Sequence, residues 1–152
     1  PEHQLVLTYP NADSGGRTLI PKLESHARSH SGRVLAIPSL GFRRYLSALS
    51  HAAAVVGNSS SGIIEVPSFG IPTVDIGSRQ HGRIAAESVV HCSTDEQSIT
   101  AALQRALAPR FASMCKGVRN PYGQGNAAAD IIRVIAAHAG PFRKQFHDIS
   151  MP

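Results

Sequence analysis

Short apolar runs recur along the chain, and each is followed by small or polar residues and then by a helical pattern. Apolar runs of about four to eight residues, bounded by glycine, proline, serine or asparagine, are typical of buried strands. On this basis we predict five strands, at residues 4–9, 33–37, 53–57, 73–76 and 88–92.

The segments between these strands carry apolar residues at helical spacing. Thr94 or Asp95 is placed to cap one helix, which Pro109 ends or kinks. Alternation of strands and helices predicts an α/β fold, with a parallel sheet covered by helices on both faces. The predicted helices run from a cap at Asp13 or Ser14 to about residue 30, then near residues 42–49, 63–66, 95–108 and 127–138.

Composition and charge argue against some classes of function. The chain has 152 residues, 42% of them hydrophobic, which fits one domain, and no apolar run approaches the ~20 residues of a membrane span. The net charge is +5, but the basic residues are scattered and aromatics are few, so attraction of small anions explains the charge as well as nucleic acid does. We expect neither a nucleic-acid partner nor a membrane partner.

Two sequence features bear on compartment and origin. Cys92 and Cys115 lack the spacing of a metal site, and we expect buried free thiols in a reducing compartment, the cytoplasm; a disulfide is the alternative. The chain has no initiator methionine and no signal-peptide pattern, and it opens almost directly into a strand. We expect it to be a piece of a longer protein.

Residues 53–83 carry the densest candidate chemistry. An apolar strand ends at Gly57, a serine-rich loop follows, and a short helix begins near Ile63. A loop of small residues before a helix can present hydroxyls, backbone N–H groups and the positive end of the helix to a phosphate. We therefore predict an anion site in this loop, formed by Ser59, Ser60, Ser61 and Gly62.

Two charged residues extend this prediction. Glu65 lies one turn into the short helix and is suited to accept hydrogen bonds from ribose hydroxyls. Arg79 follows the next strand and can reach the same phosphate with its guanidinium. The alternative is a structural helix capped by serines, with Glu65 complementing its dipole and Arg79 solvated. These residues alone leave the two interpretations about equally supported.

Three motifs together resemble one enzyme family. GNSSSGIIEVPSFGIPTVDIGSRQHGR (57–83), TYPNADSGG (8–16) and NPYGQGN (120–126) are similar, in that order, to motifs of the hydrolysing UDP-N-acetylglucosamine 2-epimerases of sialic acid synthesis. The related non-hydrolysing enzymes have a histidine- and arginine-rich motif at the second position, so Tyr9-Pro10-Asn11 favours the hydrolysing branch.

The resemblance implies an architecture. The family has two Rossmann-like halves in the GT-B arrangement, with the active site between them, and this chain corresponds to the C-terminal half. Residues 1–140 would form the Rossmann-like UDP-binding domain. Residues 141–152 would form a tail or short helix that crosses to the N-terminal half, which is also the expected partner of this domain.

The resemblance also implies roles for further residues. Asn11 would contact the nucleotide, and Ser39 and Leu40 would hold the uracil, although an ordinary turn explains each of these two residues as well. The resemblance further implies that Gly123 and Gly125 lie at the interdomain cleft, near the sugar or phosphates, with a plain glycine-containing turn as the alternative. Independently of the resemblance, Arg83 follows a glycine bend on the loop of Arg79 and is a second candidate for the phosphate side.

The implied reaction converts UDP-N-acetylglucosamine and water to N-acetylmannosamine and UDP. The acid and base groups would come mainly from the N-terminal half, so no catalytic residue, metal or cofactor is expected in this chain, and alone it would be inactive. The complete enzyme would be a homo-oligomer. Which UDP-amino sugar it takes is open, and two other functions remain: a UDP-sugar glycosyltransferase half and a non-catalytic nucleotide-binding domain.

Overall fold

The computed structural model describes residues 3–11, 15–138 and 140. The chain divides into two compact units, Pro1–Ala53 and Ala54–Pro152. The predicted helix cap at Asp13 or Ser14 and the predicted tail at 141–152 lie outside the described residues.

Among its described residues, the first unit contains two parallel strands and two helices. Strand β1 (Leu5–Thr8) leads to helix α1 (Gly16–Ser29), and strand β2 (Val34–Ile37) leads to helix α2 (Gly41–Leu49). The strands pair in register, with Leu5 opposite Val34 and Thr8 opposite Ile37. Their carboxyl ends therefore lie at the same edge.

The second unit is built on three parallel strands in the order β3–β4–β5. Strand β3 (Val55–Gly57) is followed by the one-turn helix α3 (Ser61–Ile64), a 3-10 helix (Val66–Phe69) and strand β4 (Thr73–Ile76). After strand β5 (Val89–Cys92), the chain forms α4 (Glu96–Leu107), α5 (Pro109–Cys115) and α6 (Ala127–Ala137).

Helices cover both faces of the three-stranded sheet, which successive residues of β4 show. Thr73 points towards α3, where its Oγ1 donates to the carbonyl of Gly62 at 2.7 Å. Val74 points to the opposite face and belongs to an apolar cluster with Val90 of β5 and Ala102 and Ala106 of α4. The predicted α/β class, with parallel strands and helices on both faces, is confirmed.

Pro109 was predicted to end or kink the preceding helix. Helix α4 ends at Leu107, and Pro109 begins α5, because proline is well suited to the first position of a helix. Helix α6 is exposed along its whole length, including Ile131, Ile132 and Ile135. No helix among the described residues is long and apolar enough to cross a membrane.

The two cysteines follow the prediction of free thiols. Cys115 is fully buried and Cys92 half-buried, and neither forms a disulfide. Burial raises the pKa of the Cys115 thiol. Burial, helped by the carboxylates of Asp75 and Asp95, also raises the pKa of Cys92. Both raised pKa values favour the protonated thiol, which is the less reactive form.

Candidate functional site

Two loops meet at the carboxyl edge of the three-stranded sheet. The serine loop (residues 58–62) follows β3, and the arginine loop (residues 77–83) follows β4. Because Gly57 pairs with Asp75, the two strands end side by side and their loops leave the same edge. This is the edge at which parallel α/β sheets bind ligands.

The serine loop is a tight turn that leads into α3. The Ser59 hydroxyl accepts from the Ser61 N–H at 3.4 Å. The N–H groups of Gly62 and Ile63 donate to the carbonyls of Ser59 and Ser60, at 3.1 and 3.0 Å. These two N–H groups are already engaged within the turn, so the donors that this loop offers to an anion include the hydroxyls of Ser59 and Ser60.

Gly62 fixes the position of this turn against the sheet. A Cβ added at Gly62 would lie 2.7 Å from the Thr73 Cγ2, so a larger residue fits only if the Thr73 side chain, α3 or β4 shifts. Gly62 was predicted as part of the anion site, a role that stays a prediction. In this structure the close approach at Gly62 is to Thr73, and the residue holds the loop down on the strand.

Glu65 lies at the junction of α3 and the 3-10 helix. Its backbone N–H donates to the Ser61 carbonyl at 2.9 Å, so its position depends on the serine loop. Its Oε2 is buried and has no hydrogen-bond partner among the described residues. A buried acceptor of this kind usually has a partner, and lacking one is costly. Glu65 is therefore suited to accept from a ligand hydroxyl.

Gln80 joins the two loops. Its side chain is buried, with 3% of the residue exposed, and its Nε2 donates to the Asn58 carbonyl at 2.7 Å. Its Oε1 is buried and has no partner in the described part of the chain. The arginine loop is thus fixed to the first residue of the serine loop.

The two candidate arginines lie on the same arginine loop. Arg79 and Arg83 are exposed, and neither pairs with a carboxylate among residues 3–11, 15–138 and 140. The Arg83 N–H donates to the Gln80 carbonyl at 3.3 Å. Both guanidinium groups are therefore available to an anionic ligand near the serine loop.

A third loop, the asparagine–glycine loop (residues 120–125), contacts the segment that carries Glu65. Asn120 is buried; its Nδ2 donates to the Ile64 carbonyl at 2.8 Å and to the Ser68 hydroxyl at 2.6 Å. Its Oδ1 accepts from the Tyr122 N–H at 2.9 Å, which closes the turn. Asn120 thus connects this loop to both sides of Glu65.

The two glycines of this loop adopt conformations that other residues rarely take. Gly123 has φ of 121° and Gly125 has φ of 88°. Both line an open, mostly polar cavity of about 420 Å³, together with Ser68, Lys116 and Asn120. Cleft or phosphate contact by Gly123 and Gly125 stays a prediction.

A hydrogen bond between a buried carboxylate and a histidine lies next to the serine loop. Asp75 is 1% exposed, and its Oδ2 accepts from the half-exposed His91 Nδ1 at 2.8 Å. The two residues are opposite each other on β4 and β5, and Asp75 also pairs with Gly57, which precedes the serine loop. The pair keeps a carboxylate satisfied beneath a loop predicted to bind an anion.

The first unit holds the other predicted nucleotide contacts. Asn11 follows β1 and is exposed; Ser39 and Leu40 follow β2, at the same sheet edge. The Ser39 hydroxyl accepts from the Gly41 N–H at 3.0 Å, which fixes the turn into α2. Within this unit, then, the structure places the three residues at one edge.

Hydrogen bonding also fixes the segment leading to Asn11. The Tyr9 hydroxyl donates to Glu24 Oε1 at 2.6 Å, which joins the end of β1 to α1. This hydrogen bond raises the pKa of Tyr9. The Asn11 carbonyl would lie 2.5 Å from a Cβ at Gly16, so only glycine fits there.

Sequence reasoning missed Gln80 and Asn120 as site residues. Both stand inside the quoted motifs, but their side chains contact carbonyls 22 and 56 residues away. The available signal was an uncharged amide beside a turn in each motif. Among the described residues, no group of three or more histidine, cysteine, aspartate or glutamate side chains could hold a metal ion.

Comparison with known sequences identifies one enzyme family and several relatives. The sequence model of the family described as UDP-N-acetylglucosamine 2-epimerase matches residues 1–136. Polysialic acid biosynthesis protein P7 of Escherichia coli is 30% identical over 146 residues, 96% of this chain and 37% of that protein. The GDP/UDP-N,N'-diacetylbacillosamine 2-epimerase (hydrolyzing) of Campylobacter jejuni is 37% identical over 86 residues, 57% of this chain and 22% of that protein.

A solved structure shares the fold. The crystal structure of UDP-GlcNAc 2-epimerase from Neisseria meningitidis, bound to UDP-GlcNAc, superposes with a TM-score of 0.63 at 16% identity. The match covers 89% of this chain and 44% of that one. In all these comparisons the chain spans less than half of the relative's length.

Proposed function

The chain belongs to the UDP-N-acetylglucosamine 2-epimerase family, and from this premise we propose that it is the UDP-binding half of a hydrolysing epimerase. The complete enzyme would convert UDP-N-acetylglucosamine and water to N-acetylmannosamine and UDP. The rest of the polypeptide would supply most of the acid and base groups.

The buried, unpartnered Oε2 of Glu65 is the observation that carries this proposal. A ribose presents two neighbouring hydroxyl donors, which match a carboxylate oxygen without a partner. The hydroxyls of Ser59 and Ser60 precede Glu65 on the same short segment, and Arg79 leaves the same sheet edge. One carboxylate for the ribose, with hydroxyls and a guanidinium for the diphosphate, is the donor and acceptor set that UDP requires.

The contribution to the reaction would be stabilisation of the leaving group. Negative charge builds up on the diphosphate as the bond to the sugar breaks. The serine hydroxyls and Arg79 would stabilise that charge, as preorganised donors do in a site from which water is excluded. Arg83, on the same loop, would add a second positive charge on the phosphate side.

Two observations support the hydrolysing reaction over simple epimerisation. The Campylobacter jejuni relative, which is 37% identical over the aligned residues, is named as hydrolyzing. The Tyr9-Pro10-Asn11 motif also resembles the hydrolysing branch. In this proposal Asn11 contacts the nucleotide, Ser39 and Leu40 hold the uracil, and Gly123 and Gly125 border the cleft.

The proposal extends to the setting of the enzyme. The free thiols Cys92 and Cys115 are in keeping with a reducing compartment, and we place the enzyme in the cytoplasm. No metal or organic cofactor would take part. We expect the protein at its natural length to form a homo-oligomer.

Calorimetric titration of UDP, uridine and ADP tests the proposed site. We expect UDP to bind more tightly than uridine or ADP. Glu65→Ala should lower the affinity for UDP about 10- to 100-fold, which is the effect of losing hydrogen bonds to a charged group. The matched control is Glu87→Ala, which removes an exposed carboxylate of the same unit.

Product analysis tests the reaction. The protein at its natural length, incubated with UDP-N-acetylglucosamine, should release UDP and N-acetylmannosamine, which proton NMR distinguishes from a UDP-linked epimer. No affinity for UDP in that protein, or Glu65→Ala and Glu87→Ala variants that bind UDP alike, would overturn the proposal.

A further inference from the structure

Two buried side-chain amides hold the proposed nucleotide-binding segment at its two ends, and this inference rests on the proposed function. We propose that Gln80 and Asn120 are positioning residues: Gln80 orients the serine loop towards the diphosphate, and Asn120 orients Glu65 towards the ribose. Neither would touch the nucleotide.

Gln80 acts where the segment begins. Its Nε2 donates to the carbonyl of Asn58, the residue immediately before the three serines. The same side chain belongs to the loop that carries Arg79 and Arg83. One hydrogen bond therefore sets the distance between the hydroxyl donors and the guanidinium groups that would share a diphosphate.

Asn120 acts on both sides of Glu65. Its Nδ2 donates to the Ile64 carbonyl, one residue before Glu65, and to the Ser68 hydroxyl, three residues after it. The Glu65 backbone lies where the one-turn helix α3 changes to a 3-10 helix. Such a short helix has little stability of its own, so a side-chain contact from outside is needed to fix the direction of the carboxylate.

The burial of both amides indicates that they act through these backbone contacts. Gln80 is 3% exposed and Asn120 is 8% exposed. Gln80 also keeps a buried, unpartnered Oε1, which lowers stability. A methionine would fill nearly the same volume without that cost, so the amide is explained better by the geometry it imposes than by stability.

The experiment separates the two roles by choice of ligand. Gln80→Met removes the bond to Asn58 without burying a charge. Asn120→Leu removes the donor to Ile64 and Ser68 in a similar volume and likewise buries no charge. Ser68→Ala is the partial variant, because it removes one partner of Asn120 and leaves the bond to Ile64. Each variant of the protein at its natural length is titrated with UDP, uridine and 2′,3′-dideoxy-UDP.

The expected results differ between variants. Gln80→Met should lower the affinity for UDP and dideoxy-UDP about tenfold and leave the affinity for uridine unchanged, because only the phosphate contacts are misplaced. Asn120→Leu should weaken binding of UDP and uridine about tenfold and leave dideoxy-UDP binding unchanged, because only the ribose contact is misplaced. Ser68→Ala should show the same pattern with a smaller loss, because it removes one of the two contacts beside Glu65. The tenfold value is the usual effect of one hydrogen bond to a charged group.

Unfolding of each variant in guanidinium chloride tests for a purely structural role. If the variants lose stability and their affinities for all three ligands fall equally, so that the ratios of the affinities stay those of the parent, the inference is overturned. Gln80→Leu and Asn120→Ser replace the first variants if those do not fold. Failure of the proposed function has a different signature, because the parent protein itself would then not prefer UDP to uridine and dideoxy-UDP.

Discussion

The two units of this chain are packed to very different degrees. In the second unit Thr73, Val74 and Asp75 of β4 are all buried, and α3 and α4 cover the two faces of the sheet. In the first unit only Gly16 and Leu49 are buried among the described residues. Its apolar residues Leu5, Val6, Leu35 and Phe42 are between 44% and 75% exposed.

This difference matches the tasks proposed for the two units. Charge stabilisation needs donors and acceptors held to a fraction of an ångström, which well-packed elements provide. The residues proposed for phosphate and ribose are accordingly on the covered sheet and are tied by Gln80 and Asn120. Uracil contact through a turn, proposed for Ser39 and Leu40, requires less rigid support.

The largest expected effect comes from truncating equivalent apolar side chains in the two units. Ile63→Ala should lower the free energy of unfolding by about 2–5 kcal/mol, since Ile63 is 1% exposed and truncation leaves a cavity. Leu35→Ala should lower it by no more than about 1 kcal/mol, since Leu35 is 54% exposed. Denaturant unfolding followed by circular dichroism measures both.

A second effect of the Ile63 change sharpens the comparison. Ile63 is in α3, between the serine loop and Glu65, so Ile63→Ala should also weaken UDP binding. Equal losses of stability in the two variants would contradict the contrast in packing.

A smaller effect is expected from adding one methyl group at a glycine of each unit. Gly62→Ala should cost about 1–3 kcal/mol of unfolding free energy, because its Cβ would lie 2.7 Å from the Thr73 Cγ2. Gly32→Ala should be neutral or stabilising by about 0.4–1 kcal/mol, because no atom lies within 4 Å of the added Cβ. Thermal unfolding of both variants measures the difference.

The double variant Gly62→Ala/Thr73→Ser identifies the cause of the loss. Serine lacks the clashing methyl group but keeps the hydroxyl that donates to the Gly62 carbonyl. Stability should therefore return most of the way. If the double variant stays as unstable as Gly62→Ala alone, the contact with Thr73 is not the reason.

Local signals explain what the sequence could predict. The residues of β4 lie between Pro72 and Gly77, two residues that end elements, and its bounds were predicted correctly as 73–76. Asp95 was predicted as one of two caps for α4, and its side chain accepts from the Ser98 N–H three residues later. Each of these features depends on neighbours in the chain.

Contacts distant in sequence explain what was missed. The role of Gln80 depends on the Asn58 carbonyl, 22 residues earlier in the chain. The role of Asn120 depends on a carbonyl 56 residues earlier, which no spacing rule connects to it. The nucleotide contacts proposed for the predicted residues remain predictions.

The smallest expected effect is a loss of stability at low pH, which depends on how a helix is capped in each unit. Asp95 caps α4, and hydrogen bonds from Ser93 and Ser98 lower its pKa to about 2. Helix α1 has Gly15 at its N-cap and therefore no side-chain cap. The folded-state pKa of Asp95 is below its unfolded value of about 3.9, so its stabilisation is fully present above about pH 4 and is lost as the pH falls towards 2.

Asp95→Asn isolates this contribution, because asparagine caps helices about as well as aspartate but does not titrate. We expect nearly equal thermal midpoints at pH 2 and a higher midpoint for the parent at pH 5, where the parent's cap is charged. Parallel midpoints across this range would mean that the carboxylate adds nothing beyond the neutral hydrogen bonds. A difference that grows as the pH falls would have the wrong sign for a depressed pKa, and another carboxylate would then have to be responsible.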